Sequence, residues 1–109
     1  MGLFSDWKEY PKKEISKSLL WEYDTTLPDW DWNYMATTVV QRVIERGNRN
    51  DYYAMFQKYG GIMKVRNIVK EIPDLSPKDM NWVCVLFNLK KEQLKCYTRK
   101  SLREKLLRY

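Results

Sequence analysis

The sequence predicts an all-α fold. Apolar residues recur at i, i+3 or i+4 in several stretches between Trp32 and Phe87, and capping or breaking residues bound each stretch. No segment alternates apolar and polar residues long enough to make a strand. Only four Gly and four Pro punctuate the 109 residues, which favours helices over many short strands. The expected architecture is a compact bundle of five or six short helices with a helix-turn-helix pattern near the C-terminus. Residues 1–18 read as a loosely attached N-terminal arm and residues 19–109 as a single helical domain, large enough for a modest core.

Within the arm, Pro11 breaks any early helix. Residues 19–23 form a short apolar patch, a turn of helix at most. Residues 25–31 are loop, with Pro28 restricting Leu27. Asp31 then reads as an N-cap, and a first long helix is expected over residues 32–46, with Met35, Val39 and Val43 on one face. Gly47 is expected to end it in the left-handed conformation. Asn50 or Asp51 is the expected cap of a second helix, which carries Tyr52, Met55, Phe56 and Tyr59 and stops at Gly60-Gly61. A third helix fits residues 62–71, closed by Pro73. Ser76-Pro77-Lys78-Asp79 is a helix start: a cap, a proline at the first helical position and an acid beside the dipole. The fourth helix fits residues 77–87. Asn88-Leu89 turns the chain, a fifth helix begins near Lys90, and a last one spans residues 98–108.

A helix-turn-helix needs a small residue where its helices approach, a tight turn, and apolar residues seating the second helix. With the turn at Asn88, Cys84 is the small residue and Leu94 and Tyr97 anchor the second helix. The segment from Lys90 to Tyr109 holds eight Lys or Arg against Glu92 and Glu104, so it carries 8 − 2 = +6, equal to the net charge of the whole chain. Lys90, Lys91, Lys95, Arg99, Lys100 and Arg103 are therefore the candidate phosphate contacts, and Gln93 the candidate reader of a base edge. The same pattern also fits a solvated helix face or a face that docks a partner.

The first 33 residues set four lysines against seven carboxylates, a net of −3. Trp21, Tyr23, Trp30 and Trp32, interleaved with Glu22, Asp24, Asp29 and Asp31, are the candidate contacts for a protein partner, because Trp and Tyr anchor interfaces. Equally, these rings can wrap the core while the acids cap or solubilise the loop.

Enzyme classes find little support. The chain has no His, no nucleophile with a recognisable base, and no phosphate-cradling glycine loop. Asp29 and Asp31 lack a third ligand, so no metal or cofactor is expected. Cys84 and Cys96 match neither a disulfide scaffold nor a zinc site and are expected to be buried and reduced. No apolar run approaches the ~20 residues that cross a bilayer, and no signal peptide is recognisable. The expectation is a soluble cytoplasmic protein without membrane contact. Oligomeric state stays open.

Several phrases form a set: Leu19-Leu20-Trp21-Glu22-Tyr23-Asp24, then Trp32, then Arg42-Val43-Ile44-Glu45-Arg46-Gly47, Asp51 and Tyr59-Gly60. Leu75-Ser76, Asn81-Trp82, Phe87-Asn88-Leu89, Lys91-Glu92 and Lys95-Cys96-Tyr97 complete it. Over about residues 19–97 this set resembles a family of small, largely uncharacterised, all-helical bacterial proteins. Its members are often encoded beside nucleotidyltransferase-like toxins of the abortive-infection type. The resemblance implies an antitoxin-like or regulatory role through binding the toxin, its operator DNA, or both. It carries over no catalytic residue. Arg42, Glu45 and Arg46 also have a plain reading as ion pairs along one helix surface.

Overall fold

Val39, Val40 and Val43 are wholly buried and mark the centre of the molecule. They lie on α1 (Ala36–Arg46), against which α2 (Arg49–Tyr59), α3 (Ile62–Lys70), α4 (Pro77–Phe87) and a 3-10 helix at Lys17–Leu20 all pack. The computed structural model describes residues 4–98. Among those residues the fold is an all-α bundle without strands, as the sequence predicts. The helix expected over residues 98–108 lies outside the described residues beyond Thr98.

The first long helix starts four residues later than expected. Asp31 does head the segment, its Oδ1 accepting from the Asn33 and Tyr34 amides at 2.9 and 3.3 Å. The Tyr59 hydroxyl, however, donates to the Trp32 carbonyl at 2.8 Å, taking the acceptor that the Ala36 amide needs for an α-helical bond. Ala36 donates to Asn33 instead, so residues 32–35 form turns and the regular helix begins at Ala36.

Gly47 is not left-handed. Its φ is −72° and ψ 153°, an extended conformation open to any residue. A side chain is excluded for a different reason: a Cβ there would sit 2.5 Å from the Val43 carbonyl oxygen. One extended residue later the chain is helical again, so the cap of α2 is Asn48 rather than Asn50 or Asp51. Asn48 and Asp51 form a reciprocal capping box, each side chain accepting from the other's amide at 3.0 Å. Gly60 stops α2 in the left-handed region, with φ 89°.

The segment read as an arm lies along α2 from Phe4 onward. Phe4 packs on Tyr52, Tyr53 and Phe56, and Tyr10 stacks on Tyr53 with ring centroids 3.7 Å apart. Gln57 shares its amide hydrogens among the carbonyls of Trp7, Tyr10 and Pro11 and accepts from the Lys13 amide. Asp51, 2 % exposed, accepts from both the amide and the hydroxyl of Ser16 at 2.8 and 2.7 Å. One carboxylate thus starts α2 and ties the preceding segment to it. Ile15 and Leu19 follow into the core.

At the other end, Ser76 caps α4 by accepting from the Asp79 amide, and Pro77 takes the first helical position. Asn88 ends α4 in the left-handed region. With no cation in the last turn of α4, Arg66 of α3 supplies one: its Nε donates to the Phe87 carbonyl at 3.0 Å.

Candidate functional site

After Asn88 the helix that the chain enters near Lys90 is not an α-helix. A 3-10 helix covers Lys91–Gln93, Leu94 is extended, and helical residues follow from Lys95 to Thr98. Leu89 and Leu94, on either side of this narrower and more extended turn, are both buried. The helix-turn-helix register is therefore broken at the point where a recognition helix would present its first turn. The Gln93 Oε1 accepts from the Lys90 amide at 2.8 Å and holds the turn, while the side chain stays exposed. Lys90, Lys91 and Lys95 are exposed and form no ion pair among the described residues. Arg99, Lys100 and Arg103 lie outside the described residues. Of the thiols expected to be buried, Cys96 is, whereas Cys84 is half-buried; partial burial pushes its pKa up, away from the reactive thiolate.

The aromatic stretch divides. Trp30 and Trp32 are half-buried and meet edge to face, with Tyr23 against Trp30. Trp30 Nε1 is buried and has no hydrogen-bond partner among the described residues. Trp21 is 76 % exposed and Tyr34 84 % exposed. Beside Trp21, Arg42 donates to the Leu19 carbonyl at 3.0 Å and pairs with Glu22. This replaces the expected pairing with Glu45 along the helix surface. The guanidinium holds the Glu22 carboxyl below the ordinary range, and the carboxylate raises Arg42 in turn.

Sequence reasoning missed a cleft of ≈ 290 Å³ between the segment at residues 12–17, Thr25, Trp32 and the outer face of α2. Lys12, Lys13, Lys17 and Lys58 line it, opposed by Glu14. The Lys58 ammonium stands 4.1 Å from the centre of a Trp32 ring. A second cleft of ≈ 400 Å³ shares Ile15, Lys17, Thr25 and Trp32 with the first and continues past Trp21 and Tyr23. The lysines at 12, 13 and 17 are visible as a cluster in the sequence, but nothing there signals that Lys58 joins them. Among the described residues no group of three or more His, Cys, Asp or Glu is placed to hold a metal ion.

Fold and surfaces together define a small all-α protein carrying a cationic cleft and an exposed aromatic stretch, with no helix among the described residues long and apolar enough to cross a membrane. Residues 15–69 match the family of unknown function DUF6922, and the chain belongs to that family. The match runs from Ile15 through the aromatic stretch, α1 and α2 to Val69 in α3. It includes the Arg42–Glu22 pair, Asp51, Lys17, Trp32 and Lys58, and excludes α4 and the basic C-terminal segment. No curated protein and no solved structure matches the chain.

Proposed function

We propose that this chain is a non-enzymatic binding protein of the bacterial cytoplasm, antitoxin-like or regulatory, that docks a protein partner on its aromatic-acidic stretch. One observation carries the reading. Of the six large hydrophobic residues exposed among the described residues, four fall between positions 21 and 34: Trp21, Tyr23, Leu27 and Tyr34. Exposed apolar groups gathered in one short stretch mark interaction surfaces better than the same residues scattered singly. Glu22, Asp24, Asp29 and Asp31 add four carboxylates and no cation to that stretch, so a partner with a basic rim suits it. The nucleotidyltransferase-like toxin that the resemblance implies is the first partner to seek.

The test is capture of the tagged protein's partner from native lysate, with and without nuclease, alongside Trp21→Ala. A protein that survives nuclease and is lost with Trp21→Ala supports the reading; one retained equally by both proteins sinks it. DNA binding through the basic segment is the second reading, favoured by the exposure of Lys90, Lys91 and Lys95 without ion pairs among the described residues. It requires affinity that falls steeply with salt and is lost on changing Lys91, Lys95 and Arg99 to Ala.

A further inference from the structure

We infer that the lysine-lined cleft between residues 12–17 and α2 is a binding site for a nucleotide, its phosphates among Lys12, Lys13, Lys17 and Lys58 and its base along Trp32 and the adjoining aromatic cleft.

The charge comes first. The four lysines and Glu14 give the first cleft 4 − 1 = +3 within ≈ 290 Å³. None of these lysines forms an ion pair among the described residues. Like charges gathered in a concavity repel one another, and a multiply charged anion relieves that repulsion. The cleft is also built in advance. The Lys13 amide is tied to Gln57, and the Lys58 ammonium rests on the Trp32 ring. One of the four cations therefore starts from a held position and a second hangs from an anchored backbone, which lowers the ordering cost of binding.

The shape narrows the ligand further. The two clefts share the wall made by Ile15, Lys17, Thr25 and Trp32, and beyond it the second is bordered by Trp21 and Tyr23. Small-molecule sites span about 300–1,000 Å³; the second cleft lies at the small end of that range and the first just below it. A ligand that answers both halves carries several negative charges at one end and a flat ring at the other. A nucleoside diphosphate does so. A phosphotyrosine side chain offers a ring too, but only about two negative charges. The phosphate half uses lysines that the protein-docking reading leaves out, whereas the ring half shares Trp21 and Tyr23 with that surface. The lysine variants are therefore what test the site separately from it.

Titration calorimetry of the full chain with ADP, GDP, pyrophosphate and phosphotyrosine tests the inference, with short single-stranded oligonucleotides as a further arm. Saturable binding of a nucleoside diphosphate is expected, tighter than pyrophosphate because the base adds contacts. Combined Lys12→Gln, Lys17→Gln and Lys58→Gln should weaken it at least tenfold, since hydrogen bonds to charged groups of this kind are worth about that each. These side chains are exposed, and an unchanged circular dichroism spectrum verifies the fold. Lys90→Gln with Lys91→Gln should leave the affinity unchanged. An oligonucleotide that binds more tightly and is still lost with the cleft variant supports the site and identifies the nucleotide as part of a strand. The inference is overturned by absence of binding to any nucleotide probe at millimolar concentration, by phosphotyrosine outcompeting the nucleotides, or by binding that survives the cleft variant and disappears with the C-terminal one.

Discussion

Two stretches of this chain look alike in sequence and behave oppositely in the fold. Residues 4–10 and residues 21–34 both mix aromatic rings with carboxylates. Phe4 and Tyr10 lie against α2, whereas Trp21 and Tyr34 face solvent. The difference lies not in the rings but in what faces them. Along α2, Asp51, Tyr53 and Gln57 provide polar groups that satisfy the backbone and side chains of the first stretch: the Tyr53 hydroxyl donates to Asp6, and Gln57 takes up three carbonyls. An irregular segment can be laid on a helix only if its peptide groups find partners there. The second stretch meets fewer such groups, the Arg42 guanidinium on Glu22 at its start and the Tyr59 hydroxyl on the Trp32 carbonyl near its end.

The contrast can be broken from its strongest point. Asp51→Ala removes three acceptor interactions from a buried site, with an expected loss of about 3 kcal/mol in urea denaturation. Gln57→Ala frees the first stretch without disturbing the cap. It should cost about 2 kcal/mol and make residues 4–18 the first site of limited proteolysis. A loss well under 1 kcal/mol for either change would mean that the rings alone hold the segment down. Trp21→Ala, in the opposite region, should shift stability by no more than about 0.5 kcal/mol.

The smallest effect is electrostatic. Arg42 lowers the Glu22 pKa in the folded state, so the pair stabilises the protein above the ordinary glutamate value of 4.5 and that contribution fades as pH falls through the lowered value. Wild type and Glu22→Gln should therefore differ slightly at neutral pH and converge in acid. Divergence in acid would contradict the pairing.

Sequence reading located the elements well where the signal was local. The Ser76-Pro77 start and Asn88 end of α4 were legible because cap, proline and left-handed residue act within a few positions. Helix periodicity likewise marked Val39 and Val43 as core. Reading failed where a distant residue decided. Tyr59 captures the Trp32 carbonyl across 27 positions and delays α1, and Lys58 joins lysines more than 40 positions earlier to make the cleft. The start of the helix expected near Lys90 was misplaced for a third reason: Lys91–Gln93 form a 3-10 helix between the buried Leu89 and Leu94, and helical residues resume at Lys95.

The docking of the N-terminal segment on α2 has a consequence for how the chain is made. Its hydrogen-bonded partners lie 35 to 50 positions further on. At synthesis rates of about 5–20 residues per second, Phe4, Trp7 and Tyr10 wait about two to ten seconds before the helix that shelters them has been polymerised. During that interval three aromatic rings stand bare on a nascent chain, where chaperones or neighbouring chains can reach them. Slowing elongation ahead of α2 should therefore raise aggregation even though the finished fold is unchanged.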